Sequence, residues 1–74
     1  MSDKEILKKL SEKFSLTPRE AEVFGLLVNT EDGLQTIADN MYISRRTLER
    51  YVSAIYGKTG TKSRIGLVSL YNNI

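Results

Sequence analysis

Six cations in the second half of the chain, Arg45, Arg46, Arg50, Lys58, Lys62 and Arg64, face a single acid there, Glu49. A guanidinium offers paired donors in a fixed plane, suited to phosphate oxygens or to the O6/N7 edge of guanine, and an ammonium adds a point charge. Ser44 and Thr47 bring hydroxyls into the same stretch, where the start of a helix would also present unbonded N–H groups to an anion. The first 41 residues carry five basic and eight acidic groups, so the net charge of +2 is divided into −3 followed by +5. Other chemistries lack their parts. Without cysteine or histidine the chain has no disulfide, no thiolate or imidazole metal site, and no Cys/His or Ser/His pair. Lys58-Thr59-Gly60-Thr61-Lys62 does not have the spacing of a nucleotide loop, and no paired-carboxylate site appears, so the sequence does not read as an enzyme.

A chain of 74 residues has room for one core, because a domain this small buries only about 60% of the surface its unfolded chain exposes. At 41% hydrophobic and 27% charged, with one proline, it has the composition of a folded globular domain. Apolar runs are short, and Met1 to Leu10 mixes lysines with acids, so a soluble, cytoplasmic protein with no membrane partner is expected. The pattern is all-α. Ile6, Leu7, Leu10 and Phe14 form one stripe of a leading helix from Asp3 to Phe14. Thr17-Pro18-Arg19-Glu20 reads as a cap, a first-turn proline and a capping-box acid, opening a central packing helix to about Val28. After the polar loop Asn29 to Gly33 come a short helix from Leu34 to about Met41, a break at Tyr42-Ile43-Ser44, and a long helix capped by Ser44 and closed by Gly60. Short helix, tight turn and longer helix make a helix-turn-helix pattern. Ser63 caps a last helix. Residues 1–15 read as an N-terminal helical extension and 16–74 as the main domain.

Wound at roughly 100° per residue, residues 45–59 place Leu48, Val52, Ile55 and Thr59 on one face and Arg46, Arg50, Ser53 and Gly57 on the opposite one. The first face packs, and the second can lie in a major groove. The fragments Leu16-Thr17-Pro18-Arg19-Glu20-Ala21-Glu22-Val23, Ile37-Ala38, Ile43-Ser44-Arg45-Arg46-Thr47-Leu48, Lys58-Thr59-Gly60 and Ser63-Arg64 stand in order and at near-family spacing. From about Leu16 to Tyr71 the chain resembles the LuxR-type, GerE-like helix-turn-helix domain of bacterial transcriptional regulators.

The resemblance implies a four-helix domain that binds double-stranded DNA sequence-specifically through its third helix, about 45–59, without a cofactor. It further implies a homodimer on DNA through the last helix, and RNA polymerase as a partner. The candidate DNA-binding residues are Ser44, Arg45, Arg46, Thr47, Glu49, Arg50, Ser53, Lys58 and Lys62. In the last helix, Leu67, Leu70, Tyr71 and Ile74 form one stripe, read as the dimer face, with Ile65 and Val68 turned to the core. The chain departs from the family where specificity is written: a frequent lysine is Glu49 and a usual histidine is Tyr51. Glu49 fits an anti-determinant, a reader of cytosine N4, or an intrahelical partner of Arg45 or Arg46, the last being favoured. Gly57 inside a helix costs ~1 kcal/mol relative to alanine and suggests a bend or a close contact. Tyr42 and Tyr51 have the chemistry to stack on bases or bond phosphate but are expected to pack, and Lys4, Lys8, Lys9 and Lys13, which would also suit a basic arm, are expected to form a solvated face among acids. Glu22 is expected in solvent unless Arg64 pairs with it. The competing reading is a helical protein-interaction module that has lost strong DNA affinity.

Overall fold

Among the described residues, four of the five helices begin where a short hydroxyl side chain takes up an otherwise unbonded amide. In the computed structural model, which describes residues 2–73, these are α1 (Asp3–Phe14), α2 (Pro18–Asn29), α4 (Arg45–Thr59) and α5 (Arg64–Asn72), capped by Ser2, Thr17, Ser44 and Ser63. α3 (Leu34–Asn40) follows Gly33 and has no side-chain cap. At Thr17 the capping box is complete: the Glu20 amide donates to Thr17 Oγ1 at 3.2 Å and the Thr17 amide to Glu20 Oε1 at 2.9 Å. Gly60 ends α4 at φ 73°, the left-handed conformation that glycine adopts without strain.

α2 is the central helix, packed against α1, α4 and α5, while α3 rests on α4. Val23, Phe24 and Leu27 of α2 meet Leu10 of α1, Ile37 and Ala38 of α3, Leu48 and Ile55 of α4, and Leu67 of α5, all buried. The α1 contact is close: a Cβ on Gly25 would lie 3.1 Å from Leu7 Cδ1, so the helices approach to a distance that a side chain there would spoil. The Tyr71 hydroxyl donates to the Asp3 carboxylate, tying the end of α5 to the start of α1; that bond and burial raise the phenol's pKa, so it stays protonated. No strand occurs among the described residues, and no helix among them is long and apolar enough to cross a membrane.

Two expectations from the sequence are corrected. On α5, Leu67 is fully buried and Tyr71 is 8% exposed, whereas Ile65 is 82% exposed and Val68 half-buried, so the core and outer faces are exchanged. The cause is Arg64. Its Nε donates to Leu27 O at 2.8 Å, Nη2 to Thr30 O at 2.7 Å and Nη1 to Asp32 O at 2.6 Å. α2 stops at Asn29, so the last-turn carbonyl of Leu27 lacks a helical donor, and a cation at that end also suits the helix dipole. Turning Arg64 inward carries Leu67 and Tyr71 inward with it. Leu70 is half-buried, and Ile74 lies outside the described residues.

Tyr42 does not pack either; it is 95% exposed at φ 57°. The Ile43 amide bonds Ala38 O at 3.0 Å and the Tyr42 amide bonds Asp39 O at 3.1 Å, a helix stop whose middle residue is left-handed. That geometry aims the tyrosine ring into water.

Candidate nucleic-acid interface

Leu48, Val52 and Ile55 hold α4 to the core, and its other side is open to solvent. Arg45, Arg46, Glu49, Arg50, Ser53 and Gly57 are all exposed there. At the helix start, Ser44 Oγ accepts from the Thr47 amide at 3.0 Å and donates to Thr47 Oγ1 at 2.9 Å. Ser44 is therefore the cap, and Thr47 sits half-buried behind it. Glu49 lies 3.7 Å from Arg45 Nε, four residues earlier on the same helix, with both side chains about half exposed. This is the intrahelical partner that the charge pattern favours, and a pair so wet and loose is worth only ~0.3 to 0.5 kcal/mol. Arg46 and Arg50 make no ion pair among the described residues. They stand one turn apart with their donors in solvent. Lys62, in the link between α4 and α5, is also exposed.

Lys58 belongs to a different arrangement. Its Nζ donates to Glu20 Oε1 at 2.6 Å and to Ser15 O at 3.2 Å, so the end of α4 is fastened to the junction of α1 and α2. Glu20 is only 7% exposed. The Lys58 bond first, and then the Thr17 amide, hold its carboxyl below the usual glutamate range against the opposing effect of burial. Lys58, expected at the nucleic-acid face, gives two of its three donors to the fold. Sequence reading missed this pair because its members lie 38 residues apart; the capping box explained Glu20 locally and concealed its second bond. Glu22 pairs with Arg19 at 2.7 Å, not with Arg64.

Gly57 gains nothing from the fold, since a Cβ there would meet nothing within 4 Å. No group of three or more metal-binding side chains forms among the described residues.

A short α3, a turn and a longer α4 whose outer face is polar and basic define a helix-turn-helix domain of the DNA-binding kind. Residues 14–71 match the family model described as bacterial regulatory proteins, luxR family, and the chain belongs to that family. It is 41% identical over 73 residues to "Probable transcriptional regulator ycf29" of Cyanophora paradoxa, covering 93% of this chain and 33% of that protein. It is 39% identical over 71 residues to the protein of the same description from Pyropia yezoensis, covering 90% and 31%. The chain thus spans about a third of the length of these relatives. No solved structure gives a significant match.

Proposed function

We propose that this domain binds double-stranded DNA sequence-specifically, with α4 in the major groove, as the DNA-reading part of a transcription regulator. One observation carries the reading: on the helix that follows the turn, Arg46 and Arg50 project from a face that the fold leaves unused, while Lys58 and Arg64 are engaged by groups of the fold itself. A guanidinium in that position can take guanine O6 and N7, or a phosphate, in two-pronged geometry. Ser44 and the first amides of α4 supply a phosphate contact at the helix start, and Arg45, Thr47, Lys62 and Ser53 flank it. Glu49 acts through Arg45, holding it to one side.

Pairing of two copies through α5 is recast on the face that is exposed. Ile65 and Val68, rimmed by Glu31 and Arg64, offer an apolar surface for a second copy, whereas Leu67 and Tyr71 do not. One short helix buries well under the ~1,200 to 2,000 Å² of a stable interface, so DNA must align the two copies. RNA polymerase as a further partner and a cytoplasmic setting complete this reading on family grounds.

Selection from a random duplex pool at physiological salt tests the proposal. The expected result is enrichment of a site with two related halves about 10 bp apart, bound more weakly as salt rises. Recovery of no common sequence, or salt-insensitive retention, would contradict it.

A further inference from the structure

Tyr42 combines two costly features at one position. It occupies the left-handed stop of α3, at φ 57°, where glycine or asparagine sits without strain and a bulky side chain does not. Its ring gains nothing in return, being 95% exposed, the most exposed large hydrophobic side chain described. The turn's own geometry is satisfied by backbone bonds, so the fold needs the conformation but not the tyrosine. Strain retained without internal compensation points to an external contact.

The position narrows what that contact is. Tyr42 lies two residues before Ser44, the cap of α4, and three before the first of the exposed arginines, so it adjoins the start of the helix assigned to the groove. We infer that Tyr42 contacts the DNA sugar–phosphate backbone beside the half-site, its hydroxyl donating to a phosphate oxygen and its ring packing on deoxyribose. This rests on the DNA-binding reading and adds a positioning contact to it. A phenol neutralises no phosphate charge, so the contact adds affinity for every sequence without steepening the salt dependence. The ring also borders a groove lined by Leu26 and Met41, which a protein partner would use in its place.

Tyr42→Asn and Tyr42→Phe, with the selected duplex and a random-sequence duplex as probes, separate these cases. Asparagine tolerates the left-handed turn, so Tyr42→Asn is expected to melt at or above the parent's temperature. It should bind both duplexes more weakly by the same factor, on the order of three- to tenfold, with an unchanged salt slope. Tyr42→Phe keeps the ring and is expected to lose part of that factor. Parent-like binding by both variants would overturn the assignment while leaving α4 as the DNA helix, and would move Tyr42 to a protein contact. A fall in melting temperature that matches the loss of affinity would overturn it too, by making the ring structural. A parent that binds neither duplex in a salt-dependent way would overturn the DNA reading itself and this contact with it.

Discussion

The two halves of α4 carry the same sign of charge and use it oppositely. In the first half Arg46 and Arg50 extend into water with no acid partner among the described residues, and Arg45 is held loosely by Glu49 at 3.7 Å. In the second half Lys58 meets the nearly buried Glu20 at 2.6 Å and the Ser15 carbonyl. Arg64, just beyond, is spent on three carbonyls. A cation's contribution depends on what surrounds it: partnered and shielded, it fixes the angle of a helix; solvated, it is available to a ligand. The basic character of residues 42–74 is therefore two systems, one holding α4 in place and the other presented by it.

Substitutions that should affect only one system test that division. The largest effect is expected at Arg64: Arg64→Ala strands the carbonyls of Leu27, Thr30 and Asp32 and should cost about 3 kcal/mol. That is a large part of the roughly 5 to 10 kcal/mol available to so small a domain, and thermal melts should fall by about 15 °C. Arg64→Lys, with no planar fork, should recover only part of the loss. A melt close to the parent's in the alanine variant would place Arg64 among the solvated cations and break the division.

Glu20→Gln comes next, at about 2 kcal/mol, because Lys58 keeps its charge without a carboxylate and is itself partly exposed. The effect carries a pH signature. Since the native carboxyl titrates below its ordinary value of about 4.3, its stabilisation is complete above that value. It is lost as pH falls through the interval down to the lowered native value. Acid unfolding followed by circular dichroism should show the parent losing this increment below about pH 4.3, with the glutamine variant flatter over the same interval. Gly57→Ala should act in the other direction, raising stability by ~1 kcal/mol, because nothing in the fold occupies the space a methyl would take. An unchanged or lower melting temperature would mean that α4 has a constraint at this turn that its own packing does not reveal.

Ile65→Glu is the smallest change for the fold, within about 0.5 kcal/mol, since the side chain is 82% exposed. Its effect should appear only as weaker binding to paired half-sites, with single-site binding retained. Equal losses on both would put α5 outside any contact between copies.

How far the sequence led depended on the range of each interaction. Caps at Thr17, Ser44 and Ser63 and the stop at Gly60 are set by residues within a turn of one another, and they appear where local chemistry places them. α4 has one apolar stripe, so its wet face was legible by periodicity alone. α5 is apolar on most sides, and which side turns inward is decided by the reach of Arg64 to a loop more than 30 residues earlier, which no local pattern encodes. The pairing of Lys58 with Glu20 is hidden from the sequence for the same reason. An aromatic residue at a helix junction usually packs, and only the left-handed stop of α3 sends the Tyr42 ring outward.

That the unpaired arginines of α4 bind DNA while Lys58, paired with Glu20, positions the helix is tested most directly by the salt dependence of DNA affinity. The proteins to compare are the parent, Arg46→Ala, Arg50→Ala and Lys58→Met, each also followed by thermal melting. Each arginine variant is expected to keep its melting temperature and lose ~1 to 3 kcal/mol of binding, and a slope reduced by about one will mark a phosphate contact where one is made. Lys58→Met should melt lower and, at temperatures where it is folded, keep the parent's slope. Arginine variants that bind as the parent does, or a Lys58 variant with an intact melt and a reduced slope, would contradict the account.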